Sequence, residues 1–349
     1  MNKPPGNPAD RHIKNYSPDS LAPILADMGF EKFRLDQILS WLYNKGVTSW
    51  EDMRNVGKSQ RKALAQRFEL GILTPESVQK SKDGTRKYLF KLDDSSKVES
   101  VLIPDGKRKT LCISSQVGCA LGCKFCHTGT MGLKRNLEQW EIIEQILAVT
   151  RERPASQAPT NVVLMGMGEP LMNYDNVVGA VELMVLDRGM AFSHRHITLS
   201  TAGIPKMIDR LAEDEVPLSI AISLNAADDE LRSRIMPVNV KYPLSEVLAA
   251  IERYPFSNRR RVTFEYIMFR GVNDDELNAR KLANRVKRFP CKINLIPFNG
   301  FPGCEFEASD PEAVEKFAAV LRDKHLSVFV RKSRGADIMA ACCQLAAKE

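Results

Sequence analysis

The chain has 349 residues, 44% of them hydrophobic and 27% charged, the balance of a globular protein sized for about two domains or for one α/β barrel with an appendage. That composition excludes collagen-like, coiled-coil and disordered classes, and no apolar run approaches the roughly 20 residues of a membrane span. Lys and Arg outnumber Asp and Glu by 50 to 43, and the resulting net charge of +7 permits a polyanionic partner.

Residues 1–15 carry charges and prolines without the apolar core of a secretory signal. They read as a disordered tail, and a cytoplasmic location is expected. Residues 16–84 read as a helical accessory domain: Leu35, Ile38, Leu39 and Leu42 recur at helical spacing beside Trp41, while Phe33, Trp50 and Met53 close a small core. Gly29, Gly46 and Gly57 break the helices. A cap on the main domain and a nucleic-acid docking module fit this segment equally. Residues 85–105 read as a β-hairpin extension, with β-rich runs at 87–92 and 98–103 around the polar turn 93–96.

From 106 to 349 short β-branched runs alternate with helical stretches. Strands are expected at 111–115, 161–165, 196–200, 218–223, 262–268, 291–296 and 327–330, and helices at 138–153, 174–187, 204–214, 244–253, 274–288 and 311–324. About six β-α units in succession predict an α/β fold with a partial parallel (β/α) barrel, whose chemistry sits at the C-terminal ends of its strands. The distinctive residues fall there: a cysteine loop after Ser115, Gly166-Met167-Gly168-Glu169-Pro170, Thr201-Ala202-Gly203 and Pro297-Phe298-Asn299. Basic clusters at Lys107-Arg108-Lys109, Lys134-Arg135, Arg259-Arg260-Arg261 and Arg331-Lys332-Ser333-Arg334 would make a phosphate-binding surface if they share a face.

Eight cysteines in a cytoplasmic chain of this size point to metal binding or thiol chemistry rather than a disulfide scaffold. Cys119, Cys123 and Cys126 form a C-x3-C-x2-C loop straight after the first barrel strand. Three thiolates there can hold three irons of a [4Fe-4S] cube and leave the fourth iron open to a ligand. Structural zinc wants four ligands, and His127, directly beside Cys126, is poorly placed to be the fourth. Taken alone, Cys112 is more often core packing, Glu99 a solvated strand residue, and a Gly-rich turn such as Gly168-Glu169 weak evidence of a ligand site. Cys291 and Cys304 read as structural.

With Phe125 before its last cysteine, the loop resembles the signature of the radical S-adenosylmethionine (SAM) superfamily. Gln116-Val117-Gly118-Cys119, Gly166-Met167-Gly168-Glu169-Pro170, Asn294-Leu295-Ile296-Pro297-Phe298-Asn299 and Ala340-Ala341-Cys342-Cys343-Gln344-Leu345 are similar to motifs of the RlmN/Cfr family of RNA adenine methyltransferases, on its RlmN side. The resemblance runs from about residue 17 to the end, and covers the accessory domain and hairpin. It implies a radical SAM partial barrel with a C-terminal catalytic segment, and one [4Fe-4S] cluster on Cys119, Cys123 and Cys126.

The same resemblance implies a reaction in which two SAM molecules act in turn. The first methylates Cys342; the second, cleaved reductively at the cluster, yields a radical that takes hydrogen from that methyl group, and the resulting carbon radical adds to the adenine ring. Cys112 next attacks the Cys342 sulfur, forming a disulfide and releasing the methylated base, with Glu99 as the implied proton acceptor. Gly168, Glu169, Ser200, Ser223, Leu224, Asn225 and Asn299 are the implied SAM contacts. The resemblance further implies carbon 2 of adenine in 23S rRNA and tRNA as the target and an electron donor such as flavodoxin; a monomer with no membrane association is expected.

Two departures stand out. Cys343 occupies a position where the family usually has Gly, and Asn225 one where it often has His, with Ala227 replacing a Pro. Two alternatives stay open at this point: Cfr-like methylation of carbon 8, which uses the same cysteines, and a non-catalytic iron-sulfur RNA-binding protein.

Overall fold

The computed structural model describes residues 8–256 and 261–347; residues 1–7 of the expected tail, and Arg259 and Arg260 of one basic cluster, lie outside the described residues. The rest of the expected tail is ordered. Short 3-10 turns at Pro8–Arg11 and Ile13–Asn15 bring His12, Ile13 and Lys14 into the interior. The cause is a long-range ion pair: the Lys14 ammonium meets Glu144 with both side chains wholly buried.

α1 (Pro18–Asp27), α2 (Phe33–Leu39) and α3 (Lys58–Arg67) build the accessory domain. Ser17 caps α1 by accepting the Ser20 amide at 3.2 Å, and Pro18 opens the helix. Ile38, Leu39 and Leu42 are buried as their spacing predicted and Met53 joins them in the small core, but Phe33, expected there, is exposed at the start of α2. The helical part does not extend to residue 84, however. β1 (Pro75–Lys80) is a strand that pairs antiparallel with β2 (Arg86–Lys91), which pairs in turn with β3 (Lys97–Asp105) and through it with β4 (Arg108–Cys112). The expected hairpin is thus the middle of a meander, and β1 escaped notice because its exposed residues carry no apolar alternation.

β5 (Gln116–Gly118) leads into the cysteine loop, followed by α4 (His127–Thr130) and β6 (Leu133–Asn136); β5 and β6 form a separate ribbon. The chain then alternates α5 (Gln139–Arg151), β7 (Asn161–Leu164), α6 (Tyr174–Val185), β8 (Ile197–Thr201), α7 (Pro205–Glu213) and β9 (Ser219–Ser223). α8 (Asp229–Ile235), α9 (Leu244–Arg253), β10 (Val262–Met268), α10 (Glu276–Val286), β11 (Cys291–Pro297), α11 (Pro311–Asp323) and β12 (Val328–Val330) complete it. The large sheet runs β1-β2-β3-β4-β7-β8-β9-β10-β11-β12, parallel from β4 onward. This is the expected partial barrel. Its central strand β7 is covered on both faces and so reads as an unbroken apolar run through Val162, Val163 and Leu164, whereas the edge strand β12 leaves Phe329 and Val330 exposed.

The sheet stays open, and the chain after β12 spans the gap. The Gly335 amide donates to Asp83 at 3.0 Å, Lys87 donates to the Met339 carbonyl at 3.3 Å, and the Ala346 amide donates to Glu99 at 2.9 Å. The Thr128 hydroxyl reaches the Leu345 carbonyl at 2.6 Å, so the same segment is pressed against the cysteine loop.

Candidate active site

The cysteine loop is held at both ends. Gly118 has φ +76°, and a Cβ there would sit 1.8 Å from the Gly132 carbonyl oxygen, so the turn out of β5 accepts only glycine. The Cys119 amide donates to that carbonyl at 2.8 Å, and the Lys124 amide to the Ile235 carbonyl at 3.0 Å. Phe125 is buried in a second apolar cluster at the strand ends, its ring 5.3 Å from that of Phe269. The aromatic residue before the last cysteine is therefore the anchor of the loop.

Burial pushes the Cys119 thiol up to about 12 and the Cys123 thiol well above its ordinary range, and charge on neighbouring cysteines adds to both effects. Cys126 moves the other way, drawn down to about 7 chiefly by a hydrogen bond with Cys343. Buried thiols of this kind ionise fully only against a cation, which iron would supply. Among the described residues no group of three or more His, Cys, Asp or Glu closes on a single metal ion. Three sulfurs distributed along a loop suit a cluster in which each takes its own iron. His127 does not join them: its ring lies on that of Phe301, 4.7 Å away and 2° from parallel.

The loops at the strand ends bring the expected SAM contacts together. Gly168 has φ +102°, and a Cβ there would meet Gln116 at 2.6 Å. Glu169 is buried and accepts the Leu171 amide at 3.1 Å on one oxygen and the Ala202 amide at 2.8 Å on the other. Burial raises its carboxyl above the usual range, with these backbone donors acting against the rise. Asn225 has φ +57° and commits its side chain to the fold: Oδ1 accepts the Ile267 amide at 3.0 Å, and Nδ2 lies 3.3 Å from the Met236 sulfur. An imidazole contact at this position is therefore replaced by an internal brace, and the Asn225 carbonyl in turn accepts Asn273 Nδ2 at 2.9 Å. Asn299 accepts the Ser333 hydroxyl.

Two residues here were not singled out by sequence. Glu265 on β10 accepts the Ser200 hydroxyl at 2.7 Å and the Ser223 hydroxyl at 3.5 Å, and is 6% exposed. A lone carboxylate inside an apolar strand was its available signal. Arg232 on α8 is wholly buried and donates to the carbonyls of Leu224 at 3.1 Å, Ser223 at 3.3 Å and Tyr242 at 3.4 Å, to that of Ala202, and to Asn239 Oδ1 at 2.7 Å. No ordinary pattern marks an arginine of this kind, because its partners come from distant loops.

Cys112, at the C-terminal end of β4, is nearly buried; burial pushes its thiol up to about 12, and charge on Cys342 adds to that rise. Cys342 is exposed, and all eight cysteines are free. Glu99 is not the solvated strand residue its sequence context suggested: it is 4% exposed, 3.1 Å from Lys87 Nζ, and takes the Ala346 amide of the C-terminal segment. The basic clusters divide. Arg334 lies 3.7 Å from Asp105, setting the 331–334 cluster beside the turn that carries Lys107. Arg135 instead grips Glu141 through two contacts of 2.7 Å and Asp94 at 2.9 Å, a structural duty. A cavity of about 560 Å³ beside Ala120 and Leu121 is lined by none of the expected SAM contacts.

Residues 113–283 match the family model of the Radical SAM superfamily, and residues 12–70 that of the ribosomal RNA large subunit methyltransferase N-terminal domain. The crystal structure of a radical SAM methyltransferase from Sphaerobacter thermophilus is similar with a TM-score of 0.91 and 41% identity, covering 97% of this chain and 99% of that one. Fold and cysteine loop together define a radical SAM enzyme. The dual-specificity RNA methyltransferase RlmN of Geobacter sulfurreducens is 49% identical over 336 residues, 96% of this chain and 92% of its own length. Its counterpart in Rhodospirillum rubrum is 45% identical over 349 residues, 98% of this chain and 81% of its own. The chain belongs to the RlmN family.

Proposed function

We propose that this chain methylates carbon 2 of adenine in 23S rRNA and tRNA, with Cys342 as the methyl carrier. Family membership supports the reading, and one observation carries it: the segment that holds Cys342 lies against the cysteine loop, with the Thr128 hydroxyl donating to the Leu345 carbonyl at 2.6 Å and the His127 amide to the Cys343 carbonyl at 2.8 Å. Cys119, Cys123 and Cys126 would hold a [4Fe-4S] cluster, which when bound would supply the electron for reductive cleavage of SAM.

The chain's own residues do the rest. Glu169, which accepts the Leu171 and Ala202 amides and has no ion-pair partner among the described residues, receives the SAM ammonium, for which Gly168 leaves room. Ser200, Ser223 and Glu265 present two hydroxyls and a carboxylate to the ribose hydroxyls. Leu224, Asn225 and Asn299 line the same mouth. Cys342 holds its sulfur toward the base. Cys112, protonated at neutral pH, loses its proton as it attacks that sulfur. Glu99 takes the ring proton on releasing the Ala346 amide. The basic groups around residues 107–109 and 331–334 hold RNA phosphates while the target base is unstacked into the pocket. A flavodoxin-type donor, a cytoplasmic location and a monomeric state accompany this reading; no helix among the described residues is long and apolar enough to cross a membrane.

Anaerobic reconstitution followed by nucleoside mass spectrometry of rRNA and tRNA tests it. Product at carbon 2 should vanish in Cys342→Ala and persist at a reduced rate in Cys343→Ala. Product at carbon 8, or none from a cluster-loaded protein on either RNA, would overturn the assignment. Glu265→Gln should weaken SAM binding about tenfold, since it removes a charged hydrogen-bond acceptor, while iron content stays at the wild-type level. Calorimetric titration of the cluster-loaded variant checks this, and an unchanged affinity would remove Glu265 from the pocket.

A further inference from the structure

Ala341-Cys342-Cys343-Gln344 form a tight turn with the two cysteines at its centre. The Gln344 amide donates to the Ala341 carbonyl at 3.1 Å, while the Gln344 side chain accepts the Ala341 amide at 3.1 Å and donates to the Gly300 carbonyl at 2.7 Å. Cys343 has φ +71°, a conformation that favours glycine at the third position of such a turn. The His127 amide donates to its carbonyl at 2.8 Å, so the strained residue is held from the cysteine loop as well. What the turn gains from a side chain there is a thiol in contact with the methyl carrier: the Cys343 S–H donates to the Cys342 sulfur at 3.9 Å. Both sulfurs are free thiols.

We propose that Cys343 is a second resolving thiol, a catalytic residue that attacks the Cys342 sulfur and frees the methylated base by a route independent of Cys112. The inference rests on the reading that Cys342 carries the methyl group. At that stage the Cys342 sulfur is joined to the base through a methylene. As Cys343 attacks, its S–H bond and the Cys342 S–CH2 bond break and an S–S bond forms; the electron pair of the S–CH2 bond passes to the methylene carbon, which takes up a proton and becomes the methyl group. The two sulfurs are oxidised to a disulfide and the carbon is reduced. The base lies outside the ring that closes, so the sulfur can be attacked in line with the bond that breaks. Cys112 must reach Cys342 from β4, whereas Cys343 is already in contact, which is an advantage of proximity. Neighbouring Cα atoms are about 3.8 Å apart across a trans peptide, less than the roughly 4.4–6.8 Å that disulfides prefer, so the bond is strained and easily reduced. A dithiol reductant, itself oxidised to a disulfide, returns both cysteines to thiols.

The test compares Cys112→Ala with the double variants Cys112→Ala, Cys343→Gly and Cys112→Ala, Cys343→Ser, each cluster-loaded and given RNA and SAM without added thiol. Cys112→Ala should release methylated base and leave little RNA covalently attached, and peptide mass spectrometry should find Cys342 linked to Cys343. Both double variants should lose release and accumulate RNA joined to Cys342, visible as a shifted band on a denaturing gel. Glycine suits the local φ and serine keeps the shape of the side chain, so loss of fold does not obscure the result. A second readout needs no cluster: Cys342 capped as a mixed disulfide with thiopyridine should pass to a Cys342–Cys343 disulfide in Cys112→Ala and keep its cap in the double variants. Equal RNA attachment in Cys112→Ala and the double variants, or a cap that stays on Cys342 in Cys112→Ala, would overturn the proposal. Product from Cys342→Ala, or RNA attached at another residue, would refute the carrier itself and the proposal with it, and the attachment site read by mass separates that outcome from the others.

Discussion

Glu144→Ala should destabilise the protein by about 3–5 kcal/mol, because it strips a buried cation of its partner and leaves further donors unmet. Glu144 takes Lys14 on one oxygen, and Arg151 at 2.7 Å and the Leu73 amide at 3.0 Å on the other. Lys14 has one other recorded bond, to the Gly71 carbonyl at 2.9 Å, and burial already lowers its pKa below that of a free lysine. The residues that would lose order are those joining the accessory domain to α5, where His12 stacks on Trp140 at 4.3 Å. Lys14→Met should cost less than Glu144→Ala, since Glu144 keeps Arg151 and Leu73. A combined Lys14→Met, Glu144→Leu variant should recover part of the loss, because well-packed apolar residues can replace a buried ion pair. Urea unfolding ranks the three, and hydrogen exchange at residues 12–16 and 69–73 locates the effect. Wild-type stability in Glu144→Ala would show that the ion pair does not hold the two parts together.

Arg232→Met should cost a similar amount, about 3–5 kcal/mol, by the opposite mechanism: it removes the donor from a set of buried acceptors, each carrying about 1–3 kcal/mol of desolvation. The guanidinium gathers carbonyls from the loops after β8 and β9 and a side chain from the turn beyond α8. No carboxylate among the described residues is recorded in an ion pair with it. Burial draws it down to about 10, which leaves it charged at neutral pH, and Cys123 is the largest influence in the other direction. Arg232→Lys should rescue little, because a compact ammonium cannot reproduce a planar fork across several acceptors. SAM affinity should fall along with stability, since Ser223 and Leu224 lie among the anchored groups. Thermal unfolding and calorimetry report the two losses separately; a stable Arg232→Met with normal SAM affinity would show that the loops are held by other means.

Much of the architecture was legible because the signals were periodic or closely spaced. The 262–268 strand and the 244–253 helix match β10 and α9 in both bounds, and the other barrel elements differ by a few residues at their ends. β1 was missed because exposed residues leave no alternation, and the ordering of residues 8–15 was missed because charge and proline content argue for disorder when Glu144 is unseen. The site divided in the same way. Gly168 and Glu169 fall where a strand-end motif should, whereas Glu265 and Arg232 are ordinary residues made functional by neighbours far along the chain.

By itself the sequence determined the β-α rhythm, the C-x3-C-x2-C loop with its aromatic anchor, and the glycines that let turns pass close to backbone, since each is a property of residues within a few positions of one another. Tertiary structure alone decided that the segment carrying Cys342 lies against the cysteine loop, that Glu99 is ion-paired and buried, and that Asn225 braces the fold. Those outcomes depend on an open sheet spanned by the last residues of the chain. Contacts across such a gap join positions with no shared period or spacing, and burial, which sets their charge and reactivity, exists only after the elements pack.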